Sequence, residues 1–275
     1  MGGTAFPTDA DPARIEPASR ARPAFSLPPF FRAALDGLSA VVFAARCRLC
    51  ESLLTTASRV PVCPGCLGRV RPLELLAFCD RCQRPLSLAA QSSGELPLCG
   101  PCRAEETAFD CLRSFGAYDG ELRQLIVLLK YNRVRSLAAP LGSWLAVAVA
   151  QNPALAEVDA IVPVPLHPRR QRARAYNQAE LLARELGRWL GKPVETRWLA
   201  RVKDTPSQTG LTPAQRVENV RGAFAARAKV DNARILLVDD VCTTGATLNA
   251  CARTLGRAGA ERVAAVTAAR VLQEV

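Results

Sequence analysis

From residue 107 onward, the apolar residues follow two patterns that alternate along the chain. Short apolar runs bounded by turn residues predict strands over Leu112–Tyr118, Asp159–Val164, Val194–Val202, Ile235–Val238 and Val263–Arg270. Longer stretches with apolar residues at helical spacing predict helices over Glu121–Tyr131, Leu137–Ala150, Tyr176–Leu190, Pro213–Val220 and Ala246–Arg257. Strands that alternate with helices predict an α/β fold, in which a parallel sheet carries helices on both faces.

The first 45 residues lack this alternation. Residues 1–27 are rich in proline, alanine and charged residues without any period, which predicts a disordered segment. Apolar residues at Phe31, Leu35, Leu38 and Val42 predict a helix over 28–45 that packs on the rest of the protein. No apolar run reaches the roughly 18 residues needed to span a bilayer, and the N-terminal segment lacks the basic start of a signal peptide. We therefore expect a cytoplasmic protein without membrane insertion.

Eight of the eleven cysteines form four Cys-x-x-Cys pairs. The pairs are Cys47/Cys50, Cys63/Cys66, Cys79/Cys82 and Cys99/Cys102, separated by 12, 12 and 16 residues. A two-residue gap lets both thiolates of a pair bind one tetrahedral metal ion, and two pairs complete a four-thiolate site. We expect two structural Zn²⁺ ions in a small zinc-ribbon module over residues 46–106, followed by the α/β domain over 107–275.

Two other interpretations of these pairs are weaker. Disulfides are disfavoured in a reducing cytoplasm, and a redox-active Cys-x-x-Cys does not explain four copies at near-even spacing. A filled four-thiolate site leaves no open position for catalysis, so the metals are assigned to folding. Pairing in sequence order is the simplest arrangement, and a cross-braced arrangement is the alternative.

The formal net charge is +11, and arginine supplies most of the positive charge. Eight thiolates on two Zn²⁺ ions would lower it to about +7, which still favours anionic partners such as phosphates or nucleic acid. Aromatic residues make up only 5% of the chain. Few rings are therefore available for base stacking, which weakens the interpretation of the chain as a plain nucleic-acid-binding module.

The most informative chemistry follows the strand predicted at Ile235–Val238. Two carboxylates, Asp239 and Asp240, lead into a Thr-Thr-Gly turn and then a helix. Backbone N–H groups, hydroxyls and a small glycine make a phosphate cradle of Thr243, Thr244, Gly245, Ala246 and Thr247. Carboxylates suit sugar hydroxyls or a hydrated Mg²⁺, so the stretch favours a ribose 5-phosphate as ligand. A simple helix cap would leave most of these polar residues without a role.

A basic stretch follows the strand predicted at Asp159–Val164, at the same edge of the predicted sheet. It is expected to be a loop, and it contains Arg169, Arg170, Arg172 and Arg174. This density of guanidinium groups suits a pyrophosphate or a nucleic-acid backbone, and a solvated basic loop is the alternative. His167 is the only histidine, and we assign it no proton-transfer role.

These motifs together resemble the ComF family. The strand followed by Asp-Asp-x-x-Thr-Thr-Gly is similar to the phosphoribosyl pyrophosphate (PRPP) signature of type I phosphoribosyltransferases. Further motifs extend the resemblance from residue 40 to the end. They are the Cys-x-x-Cys module, Val-Pro-Val-Pro-Leu, Tyr-Asn-Gln at 176–178, Thr-x-x-Gln-x-x-Leu at 205–211 and Arg-x-x-Asn at 216–219. One position departs from the family pattern, because Ala175 stands where a glycine is usual.

The resemblance implies a type I phosphoribosyltransferase-like sheet behind a double zinc ribbon, with PRPP and Mg²⁺ as ligands. It implies that Asp239 and Asp240 are the catalytic acidic pair and that the 243–247 turn binds the 5-phosphate. It also implies that Arg169, Arg170 and Arg174 bind the pyrophosphate. Bacterial members are linked to natural competence, which implies single-stranded DNA and DNA-uptake proteins as partners. Two functions fit: a phosphoribosyltransferase whose acceptor no motif identifies, or a PRPP-sensing, nucleotide-sensing or nucleic-acid-binding accessory protein on the same scaffold.

Overall fold

The structure, a computed structural model, describes residues 45–54, 58–74, 77–87, 97–104, 107–205 and 212–272. The α-helices are α1 (Pro64–Leu67), α2 (Gly100–Arg103), α3 (Gly120–Tyr131), α4 (Ala138–Ala150), α5 (Pro153–Ala156), α6 (Pro168–Arg174), α7 (Gln178–Leu190), α8 (Pro213–Asn219) and α9 (Ala246–Arg257). The strands are β1 (Cys111–Ala117), β2 (Ala160–Pro163), β3 (Leu199–Arg201), β4 (Phe224–Ala226), β5 (Arg234–Cys242) and β6 (Arg262–Arg270). The disordered segment expected over 1–27 and the helix expected over 28–45 lie outside the described residues, apart from Ala45.

Four strands form one parallel sheet in the order β1-β6-β5-β2. The central strands β5 and β6 are buried along most of their length, as expected for a parallel sheet covered on both faces. Asp239 pairs with Thr267, and Cys242 pairs with Arg270, in the register of these two strands. Because parallel strands end at the same edge, the segments that follow β2, β5 and β6 meet there.

Helices cover both faces of this sheet. On one face α3, α4 and α7 bury Leu125, Leu141 and Leu186 completely. On the other face α9 buries Leu248 and Leu255. The fold class predicted from the sequence, a parallel sheet flanked by helices, is therefore confirmed. Over the described residues, no helix combines the length and the apolar composition needed to cross a bilayer.

The two groups of cysteines pack on opposite faces of the sheet. The first cluster (Cys47, Cys50, Cys63, Cys66) contributes two buried members to the layer of α3 and α4. The second cluster (Cys79, Cys82, Cys99, Cys102) is fully buried in the layer of α9. Arg270 of β6 donates to the carbonyl of Cys82 at 2.8 Å, and Leu112 of β1 donates to the carbonyl of Arg81 at 2.8 Å. The cysteine module thus contacts both sides of the sheet.

Two local predictions differ from the structure, and one strand was not predicted. The strand expected over Val194–Val202 is confined to β3, and Val194 makes only a single parallel bridge to Ile161. The expected arginine-rich loop is helix α6, in which no residue is buried, so no apolar period marks it in the sequence. Strand β4 was not predicted; it pairs antiparallel with β3 and is only three residues long.

Candidate functional site

The turn between β5 and α9 has the geometry of an anion site. Strand β5 runs through both aspartates to Cys242, and α9 begins at Ala246, so three residues connect them. Gly245 has φ 84° and ψ 0°, a left-handed conformation that favours glycine. The hydroxyl of Thr244 accepts a hydrogen bond from the N–H of Ala246 at 3.3 Å. The first turn of a helix offers N–H groups without helical acceptors, and its dipole favours an anion.

The two aspartates of β5 have different surroundings. Asp240 is only 3% exposed, and its Oδ1 lies 2.9 Å from the Nζ of Lys130, near the end of α3. The Oδ2 of Asp240 is buried, and no described residue donates a hydrogen bond to it. Asp239 accepts the backbone N–H of Asp240 at 2.8 Å through its Oδ1. A buried carboxylate oxygen without a donor is costly, so the donor set at this position fits a sugar hydroxyl or a hydrated Mg²⁺.

The charges of this group shift one another's pKa values. Burial lowers the pKa of Lys130, but the carboxylates of Asp240 and Asp239 outweigh burial and hold that pKa above its usual value. Burial, followed by the charge of Asp240, raises the pKa of Asp239 to about 7, and Lys130 opposes the rise. The acidic pair therefore carries one charge more readily than two, and a ligand that brings donors or a cation stabilises the second charge.

Arg201 is a buried cation in the same region. It is 7% exposed, its guanidinium lies 5.3 Å from the centre of the Phe224 ring, and it donates to the Thr205 hydroxyl at 2.6 Å. Arg170 of α6 donates to the carbonyl of the same threonine. Burial, and then the charge of Arg170, lower the pKa of Arg201. Two guanidinium groups therefore lie close together with a single threonine between them.

The arginines of this region lack carboxylate partners within the part of the chain that the structure describes. The Nε atoms of Arg201 and of Arg216 in α8 are buried without an acceptor. Arg174 donates to the side-chain oxygen of Gln178 at 3.1 Å. By contrast, Arg169 lies 3.4 Å from the carboxylate of Asp204 and 79% of its side chain is exposed. Unpaired, partly buried guanidinium groups favour an anionic ligand.

These groups line one cavity of 440 Å³ at the carboxyl edge of the sheet. Eight residues predicted from the sequence to bind the ligand lie in its wall: Asp239, Asp240, Thr243, Gly245, Ala246, Thr247, Arg170 and Arg174. Two other predicted residues do not line it. Thr244 lines an adjoining cavity of 290 Å³ beside the second cluster, and Arg169 points to Asp204.

Four charged residues in this wall were missed by the sequence analysis: Arg123, Lys130, Arg201 and Arg216. Each is remote in sequence from the aspartates, so no local motif joins them. Two weak signals were present. Arg216 opens the Arg-x-x-Asn motif, and Lys130 is the single charged residue in the otherwise apolar second half of α3.

Each cysteine cluster has the arrangement of a metal site. The four sulfur atoms of each cluster all lie within 4.8 Å of one another. The members of each cluster come from consecutive pairs, so pairing follows sequence order and is not cross-braced. Four thiols without a carboxylate match the donor set that Zn²⁺ takes in structural sites, so both clusters could hold zinc.

Comparisons with known proteins identify relatives of this chain. Residues 173–274 match the phosphoribosyl transferase domain family. Competence protein F of Haemophilus influenzae is 34% identical over 227 residues, which are 80% of this chain and 95% of that protein. The DNA utilization protein YhgH of Salmonella typhimurium is 34% identical over 220 residues, 79% of this chain and 93% of that protein.

YhgH of Escherichia coli is 32% identical over 205 residues, 74% of this chain and 87% of that protein. Among solved structures, a purine phosphoribosyltransferase of Pyrococcus horikoshii has a TM-score of 0.31 and 14% identity, over 47% of this chain and 82% of that chain. Competence protein F and the YhgH of Salmonella typhimurium match over nearly their whole length. The chain therefore belongs to the ComF family, the family of competence protein F and YhgH.

Proposed function

We propose that this protein binds PRPP together with Mg²⁺ in the 440 Å³ cavity. The observation that carries the proposal is the buried Oδ2 of Asp240, which has no hydrogen-bond donor among the described residues. It lies in the same wall as the Thr-Thr-Gly turn. A site for phosphate alone has no need of this carboxylate, whereas a ribose 5-phosphate brings a hydroxyl that supplies the donor.

In this proposal each part of the wall binds one part of PRPP. The backbone of the turn from Thr243 to Thr247 binds the 5-phosphate, where the helix dipole favours the negative charge. Asp240 accepts a hydrogen bond from a ribose hydroxyl, and Asp239 orients the hydrated metal. Mg²⁺, when bound, supplies positive charge to the oxygens of the pyrophosphate group. The arginines of the wall neutralise the charge that grows on the pyrophosphate as it leaves.

The reaction class that fits these residues is pentosyl transfer. A nucleophilic atom of the acceptor forms a bond to C1 of the ribose while the C1–oxygen bond breaks, and the bonding electrons leave with pyrophosphate. The proton that the nucleophile loses passes to the departing pyrophosphate. Arg170 and Arg201, held by the same threonine, are the cations that we expect to stabilise this leaving group.

We further propose that the protein acts in the use of single-stranded DNA. Support comes from the names of its relatives, a competence protein and DNA utilization proteins, together with the net charge of +11. The arginines of α6 supply the contacts to DNA phosphates, and two of them, Arg170 and Arg174, also line the cavity. A cytoplasmic location is part of the same proposal. All eleven cysteines are free thiols, and a reducing cytoplasm keeps thiols in the form that binds metal.

The test is calorimetry of PRPP binding with and without Mg²⁺, on the wild type and on Asp240→Asn. We expect the variant to lose about 10- to 100-fold in affinity, because it loses a charge-assisted hydrogen bond of roughly 1.5–3 kcal/mol. Asp159→Asn is the matched control, since Asp159 pairs with Arg234 at the opposite, amino-terminal edge of the sheet. Wild-type protein that binds neither PRPP nor ribose 5-phosphate would refute the proposal.

An assay of pyrophosphate release then distinguishes an enzyme from a protein that only binds PRPP. The assay supplies Mg-PRPP with free bases, nucleosides and oligonucleotides as acceptors. Release that requires one of these acceptors identifies the substrate class. Tight PRPP binding with no release for any acceptor would favour the sensing function instead.

A further inference from the structure

We infer that Lys130 and Asp240 together recognise the two adjacent hydroxyls of ribose, which makes Lys130 a specificity-determining residue of the site. This inference rests on the proposed function, because it concerns the sugar of the same ligand. It assigns a role to a residue of α3, a helix outside the predicted ligand motifs.

The ion pair is almost closed to solvent. The side chain of Lys130 is 16% exposed and that of Asp240 is 5% exposed, and the Nζ–Oδ1 distance is 2.9 Å. An ammonium group has three N–H donors, and Oδ1 accepts one of them. Because Lys130 also lines the cavity, its remaining donors have access to a ligand there. The opposite oxygen, Oδ2, is a buried acceptor without a donor.

This arrangement is complementary to a vicinal diol. One ribose hydroxyl donates to Oδ2 of Asp240, and the neighbouring hydroxyl accepts from Nζ of Lys130. A sugar with only one of these hydroxyls leaves either the oxygen or the ammonium without a partner, in a place where water has little access. Sites built to bind a hydroxyl reject ligands that lack it because buried polar groups are then left unpaired.

The ion pair also disfavours direct metal binding at Asp240. Lys130 already neutralises one carboxylate, and its ammonium would lie next to any cation bound there. A divalent ion at Oδ2 would therefore meet electrostatic repulsion that a neutral hydroxyl does not meet. In addition, the lysine holds the carboxylate in one orientation, so Oδ2 is positioned before the ligand arrives.

The experiment measures binding of ribose 5-phosphate, 2-deoxyribose 5-phosphate and inorganic phosphate to the full-length protein. The variants are Lys130→Met, Lys130→Arg and the double variant Lys130→Met/Asp240→Asn, which removes both charges and so avoids a lone buried carboxylate. Lys192→Met is the control, since Lys192 follows α7 and does not line the cavity. Circular dichroism melting confirms that each variant is folded.

We expect the wild type and Lys192→Met to prefer ribose 5-phosphate by about 10-fold or more over the deoxy sugar. Lys130→Met and the double variant should lose this preference and keep their affinity for inorganic phosphate, while Lys130→Arg retains part of it. A preference that survives in Lys130→Met and the double variant overturns the inference. An equal loss for both sugars and for inorganic phosphate also overturns it, because the lysine is then only structural. If the wild type binds neither sugar phosphate nor PRPP, the proposed function itself fails.

Discussion

At the scale of single residues, Ala175 has a backbone conformation that is costly for alanine. It ends α6 with φ 67° and ψ −2°, in the left-handed region. Packing fixes this turn, because the next residue, Tyr176, is 7% exposed and donates to the carbonyl of Leu129. Arg135 also donates to the carbonyl of Ala175 at 3.2 Å. The family resemblance has a glycine here, and the structure gives the physical reason for that preference.

Ala175→Gly should therefore stabilise the protein. Relief of the left-handed alanine gains roughly 1–2 kcal/mol, and the greater freedom of the unfolded glycine chain removes about 0.4–1 kcal/mol of it. A net gain of about 1 kcal/mol raises the Tm by about 2–4 °C. Ala173→Gly is the matched control, because Ala173 is exposed within α6 and should lose about 1 kcal/mol. Thermal melts in which both variants change in the same direction would contradict this account.

Some residues of the site can be predicted from the sequence and others cannot. Asp239, Asp240 and Gly245 lie in one short motif, and the prediction of a phosphate cradle and a sugar ligand rests on that motif alone. Lys130 could not be assigned, because its partner Asp240 is reached only when α3 packs beside the carboxyl end of β5. A lysine in an amphipathic helix is ordinarily solvated, so its burial depends on the tertiary fold.

At the scale of elements, the apolar pattern predicts those helices that bury one face and expose the other. The bounds of α9 agree with the prediction, and those of α3 differ by one residue, because both helices bury one apolar stripe. Helix α6 has no buried residue, and it begins where Pro168 follows a His167 cap. Strand β4 is too short for a pattern to be visible. Exposed or very short elements therefore escape this kind of sequence analysis.

Helix α6 carries the arginines through which single-stranded DNA should bind. We expect weak, sequence-tolerant binding that falls steeply between low and high salt, because the contacts are to phosphates. PRPP should compete with the DNA, since Arg170 and Arg174 line the cavity proposed for PRPP. Fluorescence anisotropy with labelled oligonucleotides of two sequences, with and without Mg-PRPP, measures both effects.

The DNA measurement has an internal control in α7. Arg184 is paired with Glu180 at 2.7 Å and does not line the cavity, so Arg184→Gln should leave DNA binding nearly unchanged. Arg170→Gln and Arg174→Gln should weaken it and reduce its salt dependence. Tight binding that is insensitive to salt, or binding that PRPP leaves unchanged, would mean that DNA is bound elsewhere on the protein.

At the scale of the whole molecule, the two cysteine clusters pack on opposite faces of the sheet. The sequence spacing predicted two four-thiolate sites but left their pairing open, because Cys-x-x-Cys pairs fit either arrangement. The structure brings consecutive pairs together, one cluster on the side of α3 and α4 and the other on the side of α9. Two cysteines of the first cluster and all four of the second are buried in these layers, so the cysteine module is part of the same core. Loss of a metal ion from either cluster should therefore lower the stability of the whole fold.

Cys63→Ser and Cys99→Ser should each cause loss of soluble, folded protein. Each removes one thiolate from a four-thiolate site, and a structural Zn²⁺ contributes roughly 10 kcal/mol of apparent folding free energy. Cys251→Ala is the control, since Cys251 is buried in α9 outside both clusters and should leave two zinc ions per chain. Metal analysis and thermal melting of the wild type and the three variants test this. Wild-type protein that is folded without zinc, or a Cys99→Ser variant that lacks one zinc ion yet melts at the wild-type temperature, would show that the metal does not stabilise the fold.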